Sequence, residues 1–392
     1  MRPFLSRIDR PAVPGLLAFL GWLGYVAARL QFWARGDIRR FVMAGQLYTH
    51  PAQLPHGFPL TQAAGYDGQF FYRLALDPLD LHQTAFGITM DQPYRFTRIG
   101  YPALTWVVSL GQHVAVPYAL VGVNLAAVAA IAALGGVFAR RSGRHALWGL
   151  LFAAYFGLAV SVGRDTAEPV ADACLLGGML AYRDRRPFLA TALLCCAALT
   201  RETALAVPAA IAVVRLIGMV RRRIRPGRQD LVWIAPAAAF VAWQLVISQR
   251  TGALPLFSDG SRNTGLPFGA LVHTIGYDVG HLTFGHLGLA DISLLEAATI
   301  GVFVIAALLS LRATTVPVHE RLAFVLYAIE AGIASNEIWS TSFGELRPFL
   351  DVYLLSLIVL LGTPRLRRRL GALAACALPA LAVVVRRRIL YM

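Results

Sequence analysis

The stretch PAVPGLLAFLGWLGYVAARL, residues 11–30, decides the fold. At a rise of about 1.5 Å per residue, a helix of this length crosses a hydrocarbon core of about 30 Å. Arg2, Arg7 and Arg10 precede it. Basic residues stay on the cytoplasmic side of a membrane, so the N-terminus is placed inside. The run is too long for the apolar region of a signal peptide, and no small-residue cleavage site follows. It reads as an uncleaved first transmembrane helix.

Outward from this helix the whole chain is of one kind. Of 392 residues, 57% are hydrophobic and 15% charged, and the mean hydropathy is +0.60. A soluble domain of this size carries more surface charge. No segment reads as an independent soluble domain, so residues 1–392 are taken as one membrane domain. All 36 Lys-plus-Arg positions are Arg. The absence of Lys points to the codon bias of a GC-rich bacterium, hence to a bacterial inner (plasma) membrane. The formal charge of +15 and the pI of 10.4 fit Arg-rich cytoplasmic loops. Nucleic acid is excluded as a partner, because no basic, aromatic-bearing soluble module exists. Cys174, Cys195, Cys196 and Cys376 lie within apolar runs and read as small buried core residues.

Placing the Arg-rich loops inside gives a topology. Helix 1 runs outward over 12–31, and a long polar loop, 32–98, follows outside. Residues 99–113 are apolar but short, and read as a re-entrant or interfacial helix. The next spans are 114–138, 145–163, 168–183, 187–200, 203–220 and 231–249, leading to a later external loop at 250–290. The last spans are 291–312, 322–338, 349–363 and 370–386. The expected architecture is an all-α, polytopic transmembrane helical bundle of about eleven spans. Its N-terminus is inside, its C-terminus outside, and its first external loop bears interfacial helices. The triplet Arg386-Arg387-Arg388 falls on the outer side, against the bias.

This topology puts mixed polar constellations on the outer side. Gly65 to Arg73 reads GYDGQFFYR, with Tyr66, Asp67 and Gln69 ahead of an aromatic run expected to form an amphipathic helix on the membrane face. A carboxylate in a partly apolar pocket suits proton abstraction. Residues 91–102 read DQPYRFTRIGYP. Arg95 and Arg98 are three apart, so on a helix they share a face and can meet a phosphate with planar, forked donors. Arg164, Asp165 and Glu168 stand together at a span end. Arg201 and Glu202 stand at another; adjacent residues point about 100° apart on a helix, so each needs a partner elsewhere. Glu345 and Arg347 precede a span whose start Pro348 favours. Such charges at span ends are costly unless they face a protein cavity or water. No metal-ligand spacing, phosphate-binding loop or dinucleotide fingerprint is present, and neither a metal nor a cofactor is expected.

With these residues in view, the chain resembles the GT-C superfamily of membrane glycosyltransferases, which use polyprenyl-phosphate sugars as donors. The resemblance rests on a first helix followed by a long external loop with an acid, Tyr66-Asp67-Gly68. That loop ends in the segment Arg98 to Pro102. A second external acidic motif follows, Arg164-Asp165-Thr166-Ala167-Glu168, and then many further spans. The resemblance implies that Asp67 acts as general base, with Asp165 and Glu168 in supporting roles. The first-loop acid of the family is often doubled; here Asp67 stands alone, and Asp77 and Asp80 follow in a D-x-x-D spacing. Arg201 and Arg347 are assigned to the donor phosphate from charge and side alone. The function expected is an inverting transfer of sugar from a polyprenyl-phosphate donor to a glycan, glycolipid or protein acceptor at the outer face of the lipid bilayer. The rival expectation is a polytopic transporter or lipid flippase for an anionic or glycolipid substrate.

Overall fold

The computed structural model describes residues 8–258, 263–283, 288–339, 346–364 and 370–390. Within them the protein is all-α apart from one small hairpin. The helices run α1 Ala12–Phe32, α2 Gly68–Leu76, α3 Gly100–Val108, α4 Val116–Arg141, α5 Gly149–Phe152, α6 Leu158–Gly163, α7 Glu168–Arg183 and α8 Pro187–Thr200. They continue as α9 Ala206–Val220, α10 Leu231–Thr251, α11 Gly269–Gly280, α12 Leu289–Ser310, α13 Val318–Ile333, α14 Asn336–Trp339, α15 Leu350–Leu361 and α16 Leu370–Leu390. The hairpin pairs β1, Thr84–Ala85, with β2, Ile88–Thr89, in the first loop.

Local sequence sets the ends of several helices. Pro117 and Pro169 occupy the first turns of α4 and α7, where a missing N–H costs nothing. Gly252, at φ +74°, ends α10 in the left-handed conformation that favours glycine. Contacts run from α1 to α4, α4 to α7, α7 to α8, α8 to α10, α10 to α9 and α9 to α13. From there α15, α12 and α16 lead back to α1. All twelve residues of α15 are buried, and its flanks touch α4, α7, α12 and α13.

Among the described residues, five helices are long and apolar enough to cross a bilayer: Ala12–Phe32, His113–Arg141, Glu202–Val220, Arg228–Thr251 and Leu289–Ser310. By length and composition these suggest a membrane protein, and they correct the expected count of about eleven. The run 145–163 is broken into α5, of four residues, and α6, of six. The runs 168–183, 187–200, 322–338 and 349–363 yield α7, α8, α13 and α15, of 16, 14, 16 and 12 residues. Helices of that size extend only about 18–24 Å. An apolar run reads alike whether it meets lipid or protein, and α15 meets protein on every side.

The first loop, 32–98, also departs from expectation. Every residue of α2 is buried, so α2 is no amphipathic helix on a membrane face. It is the core of a compact loop layer. Phe70 packs edge-on against Tyr48 at 5.6 Å, and Phe71 against Tyr101 at 5.6 Å. The segment 99–113 forms α3, nine residues long and too short to cross. The cysteines are less buried than expected: Cys376 is exposed and the other three half-buried. Cys174 and Cys196 face each other with sulfurs 3.6 Å apart.

Arg388, expected on the outer side, packs in the interior. It is 1% exposed, and its carbonyl accepts a hydrogen bond from Nη1 of Arg29 at the far end of α1. It serves as an interior helix contact, where loop-charge rules do not apply.

Candidate active site

Asp67 sits immediately before α2, where the chain turns out of Gly65. Gly65 has φ +67°, and Gly68 lies so close to the next layer that an added Cβ would stand 2.3 Å from the Arg164 carbonyl oxygen. Two glycines thus let the first loop press its acid against the segment that joins α6 to α7. Gln69, expected as a substrate contact, is instead a latch for this turn. Its Oε1 accepts from the Gly45 N–H at 2.9 Å, and its Nε2 donates to the Ala64 carbonyl at 2.8 Å.

Two guanidiniums grip the Asp67 carboxylate. Arg95 Nη1 donates to Oδ1 at 2.7 Å, and Arg347 Nη2 donates to Oδ2. Arg95 is itself held by Asp91, at 2.8 and 3.1 Å, and stacks over Phe70 at 4.5 Å. Arg347 extends its other nitrogen towards Glu168, 3.6 Å away, an ion pair without a hydrogen bond. Glu168 accepts from the Thr166 hydroxyl at 2.5 Å and the Ser161 hydroxyl at 3.3 Å. Charges therefore alternate along Asp91, Arg95, Asp67, Arg347 and Glu168. Tyr66 forms the floor: Arg164 lies 4.2 Å and Arg347 4.8 Å from its ring centre, attracted by the negative ring face.

Burial alone would push the Asp67 carboxyl up. Arg95 and Arg347 outweigh it and hold the group well below the ordinary carboxylate range. Asp165 is the opposite case. It is fully buried, sits at φ +50°, and neither carboxylate oxygen has a hydrogen-bond partner. Burial pushes its pKa far up, and the charge of Arg29 offsets this only in part. Asp165 and Glu168, three residues apart, thus point to different surroundings, and only Glu168 joins the site.

Arg95 and Arg98 do not converge on one ligand position. They lie on and just after the short 3₁₀ turn Pro93–Thr97, and Arg98 turns to Glu202, at 2.7 and 3.1 Å. The Tyr94 hydroxyl donates to the same Glu202 and accepts from Arg98 at 2.6 Å. Arg201 points away, to Asp351 at 3.0 Å and the Pro348 carbonyl at 3.2 Å. Thr203 also donates to Asp351, at 3.0 Å. Arg201 and Glu202 each take a partner on another element. Glu345 lies outside the described residues.

Sequence reasoning missed Tyr94 and Asp351 as members of these networks, while Asp91 stood in the same stretch as Arg95 and does pair with it. Asp351 carried a signal: an acid inside an apolar run is costly unless paired. Among the described residues no three His, Cys, Asp or Glu side chains gather as metal ligands. The site is therefore an anion-and-cation cluster, with one carboxylate, Asp67, held at its centre and 19% exposed.

No protein-family model matches this chain, and no curated protein or solved structure matches it either.

Proposed function

We propose that the chain is a membrane glycosyltransferase of the GT-C kind, working at the outer face of a bacterial plasma membrane with its N-terminus in the cytoplasm. Its donor is a polyprenyl-phosphate sugar, and its acceptor is a hydroxyl on a glycan, glycolipid or protein. The observation that carries this reading is the grip of Arg95 and Arg347 on Asp67.

A carboxylate tied to two guanidiniums is a weak base. The same guanidiniums are well shaped for a phosphate. The donor is a phosphodiester with one negative charge. When it enters, the arginines turn from the carboxylate to the phosphate, and Asp67 is released to face the acceptor. The acceptor oxygen attacks the anomeric carbon as the carbon–oxygen bond to phosphate breaks. The bonding pair leaves with the phosphate, which becomes a dianion, and the acceptor proton passes to Asp67. One displacement opposite the leaving group inverts the anomeric centre. Fixed arginines stabilise the growing phosphate charge with little reorganisation, and a positioned base contributes roughly 10²–10⁴-fold. Glu168 holds Arg347 from behind in both states.

The transporter reading places its charges near the bilayer midplane, on broken helices. Here the acid at the centre of the cluster stands in the first loop, outside the five long apolar helices. The test offers purified protein a panel of short-chain polyprenyl-phosphate sugars with membrane extract. Release of polyprenyl phosphate with one donor supports transfer. Absence of release from folded protein with every donor, together with donor movement across a vesicle bilayer, refutes it.

A further inference from the structure

Two thiols outside the charge cluster face each other on neighbouring helices. Cys174 in α7 donates to Cys196 in α8, with the sulfurs 3.6 Å apart. Both are free and half-buried, and neither takes part in the steps above.

The packing of α7 on α8 makes this contact a property of the helix pair. In an antiparallel pair, the residue three on from Cys174 meets the residue three back from Cys196. Gly177 and Leu193 do meet: a Cβ on Gly177 would stand 3.2 Å from Leu193 Cδ1. The next residue, Gly178, lies against Leu194, where a Cβ would stand 2.7 Å from Cγ. Two adjacent glycines let the helices approach closely, and they do so on the face that carries Cys174. The sulfurs need only about 1.5 Å of further approach to reach the disulfide length of about 2.05 Å.

The thiols also stand near the ends of their helices that carry charge-cluster residues. Cys174 is six residues after Glu168, and Cys196 is five before Arg201. At about 1.5 Å per residue, both lie within about 9 Å of those ends. The proposed topology puts these ends outside the cytoplasm, where disulfides form and persist. We propose that Cys174 and Cys196 form a disulfide that staples α7 to α8 behind the charge cluster. Its oxidant is a disulfide of the outer compartment. That placement rests on the topology proposed above; the pairing of the two residues does not. A thiol that donates to its neighbour favours the neighbour's thiolate, so Cys196 attacks first. It attacks one sulfur of the oxidant, a mixed disulfide forms, and one thiolate leaves. Cys174 loses its proton and attacks the Cys196 sulfur, which expels the second thiolate. Two thiols are oxidised, one disulfide is reduced to two thiols, and the two protons pass to the leaving thiolates. The closed loop restricts the unfolded chain and so stabilises the fold.

The test incubates full-length wild-type protein in nanodiscs with excess glutathione disulfide, then alkylates, digests and maps the peptides by mass. The four free thiols are expected to fall to two. One cross-linked peptide pair should join Cys174 to Cys196, two hydrogens lighter than the separate peptides, while Cys195 and Cys376 carry the alkylating reagent. A reductant should restore all four thiols, and the bridged protein should unfold at a higher temperature than the reduced one. Cys195→Ser is expected to keep the bridge and Cys174→Ser to lose it. Four thiols that all remain open to alkylation, glutathione left attached to Cys174 or Cys196, or a bridge through Cys195 overturns the proposal. Protein alkylated in intact cells before lysis reads the compartment. A bridge already present there agrees with the outer placement. A bridge that forms with glutathione disulfide but is absent in cells keeps the pairing and contradicts that placement.

Discussion

Arg347 donates from Nη2 to Oδ2 of Asp67, a residue 280 positions earlier in the chain. The bond ties the loop after the first helix to the segment that starts α15, a helix with all twelve residues buried. Its two ends differ in what they do without each other. Asp67 without its arginines would keep only the upward push of burial on its pKa. Arg347 without Asp67 is a cation, 10% exposed, that keeps only Glu168 as its ion-pair partner. Donor entry, in the proposed reaction, exchanges one partner of Arg347 for another, and this exchange gives the first prediction.

Arg347→Ala should raise the pKa of Asp67, because a neighbouring positive charge is removed and burial then counts for more. In the wild type the folded pKa lies below the unfolded value near 3.9. The stabilisation from Asp67 is therefore present above about pH 4 and is lost as pH falls towards the depressed folded value. No acid limb from Asp67 is expected in kcat/KM between pH 5 and 8. In Arg347→Ala the limb should move upward, and infrared titration of the carboxylate band reads the same change without turnover. An unchanged band would show that Arg347 does not hold the carboxylate.

Arg98→Ala should destabilise the fold more than Glu202→Gln. Arg98 and Glu202 are half-buried, 17% and 19% exposed, so removing one partner costs less than the about 3–5 kcal/mol of a fully buried pair. The amide oxygen of Glu202→Gln can still accept from Tyr94 and from Arg98 Nη2, while the charge and the bond from Arg98 Nε are lost. Thermal unfolding in detergent checks the order, and a double-mutant cycle gives the coupling.

Gly68→Ala should separate the first loop from the helical core. The added methyl would meet backbone on two sides, the Arg164 and Val42 carbonyl oxygens at 2.3 and 2.8 Å. Backbone cannot yield as a flexible side chain does, and overpacking of this kind costs about 1–3 kcal/mol or more. Limited proteolysis within the first loop, compared with the wild type, reads the loss of docking.

Much of this was legible in the sequence, for stated reasons. An apolar run after three arginines makes α1 a long helix by length alone. Tyr66-Asp67-Gly68 was conspicuous because its acid stands between an aromatic residue and a glycine, just ahead of an aromatic run. The partner of each charge was not legible. Asp67 and Arg347 are brought together only when α15 docks, and no local pattern encodes a contact across 280 positions. Gln69 looked like a site residue because it stands two places from Asp67, yet its amide is spent on the loop backbone. The span count failed because the runs that became α7, α8, α13 and α15 give helices of 12–16 residues, too short to cross.

The most direct test of the central claim is single-turnover release of polyprenyl phosphate by wild type and Asp67→Asn, with donor affinity measured on both proteins. The account predicts a loss of roughly 10²–10⁴-fold in rate. It also predicts tighter donor binding in Asp67→Asn, because Arg95 and Arg347 no longer have a carboxylate to leave. Undiminished turnover in Asp67→Asn would contradict the role of Asp67 as base. Weaker donor binding in that variant would contradict the exchange of partners on which the mechanism depends.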